Sequence, residues 1–207
     1  MTGTAAQQAE RLALLVLSAA SGAVDTFTFL CLGKVFAGVM TGNLVLIGVS
    51  VATSDGTQAI RALAALAGYC AGVATAALIA DRLPRRTVLA GEAVLLTLSA
   101  TCWALATDRS GTLLWALLVT NALAMGLQAR TWGTPTTYFT GTLTGLAGQF
   151  GLGTEERWAA GRLAAVVAGA LLVAALLRWH TSAAGLAPVA LVILAMAVAR
   201  GPTDGAT

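Results

Sequence analysis

Charge is what this chain has least of. Of its 207 residues only 10% are Asp, Glu, Lys or Arg, and the formal net charge is +3. A nucleic-acid surface needs Lys and Arg gathered on one face or along one stripe. Here the basic residues are scattered through short joints, so nucleic acid is excluded as a partner. A single histidine, His180, leaves no HExxH helix, no Ser-His-Asp set and no histidine shell for a metal. No catalytic residue, metal or cofactor is therefore expected, and the chain is not expected to be an enzyme. Three cysteines, Cys31, Cys70 and Cys102, each stand alone in an apolar run without CxxC spacing. That excludes a disulfide framework or a zinc site, and they are read as packing residues.

What is present is apolar surface: 57% of the residues are hydrophobic, and the mean hydropathy is +0.82. A soluble domain of this length could not bury so much within itself, which leaves lipid as its solvent. A crossing helix needs roughly 20 mainly apolar residues. The chain divides into such stretches at 12–32, 60–80, 87–106, 113–129, 158–179 and 183–199, with short polar joints between them. The first stretch has one arginine before it and resembles a secretory signal, but further apolar segments follow, so it is read as a retained helix. The tail 201–207 is expected to be unordered.

Two apolar segments are interrupted by polar residues. The first is Met40-Thr41-Gly42-Asn43, within 34–54, and the second is the run from Thr136 to Thr144. Thr41-Gly42-Asn43-Leu44 matches Thr140-Gly141-Thr142-Leu143 at a separation of 99 residues, and Arg61 and Gly68 match Arg162 and Gly169 at 101. The expectation is an all-α, polytopic membrane protein forming one domain over 1–207. It is a duplication, with one repeat at about 12–106 and the other at about 113–200, each having three transmembrane helices and one broken or half-length helix.

If the broken segments enter and return, there are six crossings and the second repeat is inverted; if they cross, there are eight and the repeats are parallel. With six crossings and the amino terminus inside, eight basic residues lie on the inner side and four on the outer. With eight crossings the basic residues divide evenly, so the positive-inside tendency favours six.

Backbone that is not helical survives at membrane depth only where protein or a wet cavity shields it. Thr and Asn are good N-cap residues, and Gly permits unusual backbone, so a half-helix is expected to start at each break, over Leu44 to Ala52 and Leu143 to Phe150. The amino end of each would offer N–H donors to a small polar or anionic solute. The plain alternative is that these small residues only allow close helix packing. Asp25 lies about 21 Å beyond Arg11 at ~1.5 Å per residue, deep enough to be a candidate site residue by default. It is either a proton-coupling carboxylate or an acceptor that anchors the neighbouring break. Gln128 is its approximate counterpart in the second repeat. The candidate solute-binding set is thus Asp25, Thr41, Gly42, Asn43, Gln128, Thr140, Gly141 and Thr142. Glu92 is expected to pair with Arg86 or to reach the surface. Arg61 and Arg162 are of second rank, and His180 is a wet end residue.

The segments Ser21-Gly22-Ala23-Val24-Asp25, Phe29-Leu30-Cys31-Leu32-Gly33, Met40-Thr41-Gly42-Asn43, Gly126-Leu127-Gln128 and Thr136 to Thr144 together resemble the YoaK-like family of bacterial inner-membrane proteins, classed as a domain of unknown function. The likeness covers nearly the whole chain. It implies a multi-pass protein of the bacterial inner membrane and no settled activity. From the architecture, a small-solute transporter or permease is expected, with its central site at the two breaks. The alternative is a membrane scaffold or regulator that transports nothing. The bilayer and the solute are the expected partners, and a homo-oligomer is compatible with the sequence.

Overall fold

The fold is known from a computed structural model, which describes residues 5–109, 111–131, 140–147 and 153–199. All regular structure among them is helical. The order is α1 (Ala5–Cys31), α2 (Met40–Ala52), α3 (Gly56–Ile79), α4 (Arg85–Leu105), α5 (Gly111–Thr131), α6 (Thr140–Ala147), α7 (Thr154–Trp179) and α8 (Leu186–Val198), with a 3-10 turn at Thr181–Ala183 leading into α8. Six of these are long and apolar enough to span a membrane: α1, α3, α4, α5, α7 and α8 with its leading turn. The protein is a multi-pass membrane protein.

Local signals set the helix ends. Asp55 caps α3, its carboxylate accepting from the Gln58 amide at 3.0 Å, after a turn in which Ser54 adopts a φ of 58°. Extended Pro84 precedes α4 and holds the joint from α3 open. Glu155 and Glu156 lie in the first turn of α7 and Arg178 in its last, both favourable to the helix dipole.

Packing divides the spans into centre and flank. About 50% of the apolar window of α1 and of α5 is buried, against 28% for α3 and 17% for α7. The centre consists of α1, α4, α5 and α8, with α4 against α5 and α8, and α1 against α8. On one flank α3 packs on α5 and carries α2. On the other, α7 packs on α1 and carries α6.

Both flank contacts are made backbone to backbone. A Cβ on Gly72 of α3 would stand 2.2 Å from the Leu123 carbonyl oxygen of α5, and one on Gly126 of α5 would stand 2.2 Å from the Tyr69 carbonyl oxygen. At the other contact a Cβ on Gly22 of α1 would come within 2.1 Å of the Val166 carbonyl oxygen, and one on Gly169 of α7 within 1.9 Å of that of Ala19. Lipid offers no hydrophobic drive for helices to associate, so close approach through small residues carries the contact.

Two polar links fix the direction of the spans. Glu10 pairs with Arg85 at 3.4 Å and Arg11 pairs with Glu155, which brings the starts of α1, α4 and α7 to one side. At the other side, Gln58 near the start of α3 donates to the Lys34 carbonyl at 3.0 Å, just beyond the end of α1. The 13-residue α2 connects two spans joined at that side. The preceding segment 32–39 dips to the level of Asp25, six residues before the end of α1 and so about 9 Å below it at ~1.5 Å per residue.

The short helices start earlier than the sequence suggests: α2 begins at Met40, not Leu44, and α6 at Thr140, not Leu143. The break residues thus occupy first turns rather than the connections before them. Residues 132–139, the expected end of the second half-helix at Phe150, and the tail 201–207 lie outside the described residues.

Candidate functional site

The first break is built on segment 32–39, whose main chain is irregular at membrane depth and must find partners there. It leaves α1 through Gly33 at a φ of 113° and Lys34 at 57°, with the Lys34 amide donating to the Phe29 carbonyl at 3.1 Å. Val35 and Ala37 are fully buried and Phe36 stacks on Phe29, so the dip is lined by apolar side chains while its polar main chain is turned elsewhere.

Two side chains receive that main chain. Asp25 Oδ1 accepts from the Gly38 amide at 2.7 Å, and the neighbouring amides of Ala37 and Val39 also point at this carboxylate. The side-chain amide of Asn43 bonds Phe36 twice, accepting from its N–H at 2.9 Å and donating to its carbonyl at 2.7 Å. In effect Asn43 supplies the pair of bonds that a neighbouring strand would. It does not cap α2: the N-cap position is Val39, which has no side chain able to serve. Asn43 is wholly buried, whereas Thr41, one residue before Gly42, is exposed. Gly42 is fitted against Phe36, since a Cβ there would lie 3.1 Å from the ring.

The second break is described only in part. Thr140, Gly141 and Thr142 form the first turn of α6; Gly141 is exposed and Thr142 half-buried. α6 packs on α7 as α2 packs on α3, and among the described residues α2 and α6 share no packing interface. Asp25, Gly42 and Asn43 are brought together around segment 32–39. Gln128 is elsewhere: fully buried on α5, it donates to the Leu17 carbonyl of α1 at 3.1 Å. A surface groove between α1 and the start of α7 is lined by Leu15, Thr154, Arg157, Trp158 and Gly161, none of them a break residue.

Two residues behave differently from what the sequence suggests. Arg162 is buried against Ser18 of α1, with Nε 3.4 Å from its hydroxyl, whereas its proposed counterpart Arg61 lies half-exposed over Gly33 and the Trp115 ring. Glu92 neither pairs with Arg86 nor reaches the surface. It is 0% exposed, and neither carboxyl oxygen has a hydrogen-bond partner among the described residues. Its position seven residues into α4 was the available signal, since that is already about 10 Å from the helix start at ~1.5 Å per residue.

With this geometry in view, the chain can be set beside known proteins. A family model described as "Protein of unknown function (DUF1275)" matches residues 13–199. The UPF0700 transmembrane protein YoaK of Bacillus subtilis (strain 168) is 32% identical over 148 residues, which are 65% of this chain and 64% of that relative, less than two thirds of its length. No solved structure matches this chain.

Proposed function

This chain belongs to the DUF1275 family of membrane proteins, described as of unknown function, and from its architecture we propose that it is a small-solute permease of the bacterial inner membrane, a carrier and not an enzyme. In this reading its halves, about 12–106 and 113–200, are inverted copies within one domain, each with three spans and one short helix. The observation that carries it is the matched pair of glycine crossings, α1 with α7 at Gly22 and Gly169, and α5 with α3 at Gly126 and Gly72. Exchanging the two halves turns one crossing into the other. The remaining contacts follow the same exchange: α1 on α8 answers α5 on α4, and α2 on α3 answers α6 on α7. The crossings set Gly169 against Gly72, one helical turn from the match with Gly68 that the sequence separation suggests.

Interrupted segments at matching places of two inverted halves are the usual setting of a transporter's binding site. The solute is a small polar or anionic molecule taken up at the first turns of α2 and α6 on the two flanks, with Thr41 and Gly42 as its contacts at one and Thr140, Gly141 and Thr142 at the other. Asp25 and Asn43 hold the first of these turns in shape, and Gln128 ties α5 to α1 behind it. Reconstituted protein should exchange at least one member of a panel of labelled small carboxylates, amino acids and inorganic anions. Thr41→Val and Thr142→Val should each slow that exchange while leaving the melting temperature unchanged.

One observation favours the alternative of a scaffold or regulator: Asp25 and Asn43 are engaged by their own loop, and α2 and α6 lie on opposite flanks. That reading prevails if vesicles with folded protein pass no member of the panel faster than empty vesicles do.

A further inference from the structure

Among the described residues, the best-buried acid is not at either break. Glu92 is fully enclosed on α4, beside Leu89, Ala93 and Leu96 of the central apolar cluster, and neither of its oxygens is bonded among the described residues. A carboxyl in hydrocarbon surroundings is costly and persists where it serves a task. Its position identifies what it faces. Asn121 of α5 donates to Ser99 of α4 at 2.6 Å, which fixes the register of this antiparallel pair. Seven residues before Ser99 on α4 is Glu92, and seven after Asn121 on α5 is Gln128. Seven residues are nearly two turns, so both return to the same face and meet across the interface. Gln128 in turn bonds the Leu17 carbonyl, next to Ser18, which receives Arg162. A single buried polar level therefore runs through α4, α5, α1 and α7.

We propose that Glu92, facing Gln128 in the α4–α5 interface, is a proton-binding site of the membrane interior. A proton suits it better than a metal ion. A hard cation needs about six oxygens around it, and among the described residues no cluster of three or more potential acidic, His or Cys ligands exists. No opposite charge faces it either. Among the elements packed on α4, α8 and the turn before it carry no titratable group, and α5 carries only Arg130, two residues beyond Gln128 but exposed. Arg85 and Arg86 of α4 itself are in its first turn. Of the other helices reaching this core, α3 contributes Tyr69. From α1 come Glu10 and Arg11 at its start and Asp25, which is bound to Gly38. Arg162 stands on the far side of α1. The site does not depend on the permease reading: a proton bound here would be present whether or not a solute is carried.

The test uses the full chain purified in detergent. If the folded protein holds a proton at Glu92, the wild-type melting temperature should fall as pH rises from mildly acidic to mildly alkaline, because the bound proton is lost. Glu92→Gln should lose that pH-dependent shift, while Asp25→Asn keeps it. A hydrophobic carbodiimide, which reacts with a protonated carboxyl, should modify Glu92 in the wild type, with the yield declining as pH rises. Equal pH dependence in the wild type and Glu92→Gln would overturn the proposal. So would modification confined to other carboxyls, a result read on the wild type even if the variant fails to fold.

Discussion

Asn43 sets both ends of its side-chain amide against one residue of main chain, and it is wholly buried in doing so. Removing it strands a buried N–H and a buried C=O at once, each costing about 1–3 kcal/mol. Asn43→Leu should therefore lower the melting temperature in detergent strongly. Asn43→Asp keeps an acceptor for the Phe36 amide but sets a second acceptor oxygen against the Phe36 carbonyl, so it too should lower the melting temperature. The same logic separates the two roles open to Asp25. As an anchor for the Gly38 amide, it should tolerate Asn, which retains a carbonyl oxygen, better than Ala, which retains nothing and should cost about 1–3 kcal/mol. A coupling carboxylate would give another pattern, with Asp25→Asn stable but unable to drive uptake. The sequence marks both residues as out of place in an apolar run, and so finds them. It does not reveal their partners, because Phe36 and Gly38 are bound through main-chain atoms that every residue has.

At the scale of helices, glycine has two opposite uses here. Gly126 and Gly169 admit a neighbouring backbone, whereas a Cβ at Gly91 of α4 would have nothing within 4 Å. Gly126→Ala should destabilise by about 1–3 kcal/mol as α3 is forced off α5, whereas Gly91→Ala should stabilise by about 0.5–1 kcal/mol through reduced backbone freedom. Melting temperatures of the two variants beside the wild type decide this, and equal shifts would mean the crossings are looser than described. The six spans were legible from apolar length alone, since lipid demands a continuous helix of that length. The register of the crossings was not. Gly68 and Gly72 lie one turn apart on one face of α3; sequence matching settled on Gly68, whereas the tightest approach of α5 is at Gly72. The starts of α2 and α6 were misplaced for a related reason: Thr and Asn were weighted as caps, but in α2 the cap position is Val39 and Asn43 is reserved for the loop.

For the whole molecule, the ion pairs Glu10 to Arg85 and Arg11 to Glu155 set the starts of α1, α4 and α7 at one level, as six crossings require. Cysteines placed singly at Gln8 and Asp81 should be labelled from the same side of the membrane, and one at Asp108 from the opposite side. The positive-inside tendency assigns the first pair to the cytoplasm. Labelling of positions 8 and 81 from opposite faces would mean that α2 crosses after all. The glycine crossings have a mechanical consequence. Gly68 also faces α5, where a Cβ would stand 3.0 Å from the Val119 carbonyl oxygen, so the two backbones abut over two successive turns and form one stiff rib. α2 is carried on α3, and so on that rib. A load on α2 is thus passed through α3 to α5, while Asp25 on α1 holds the loop that leads into it.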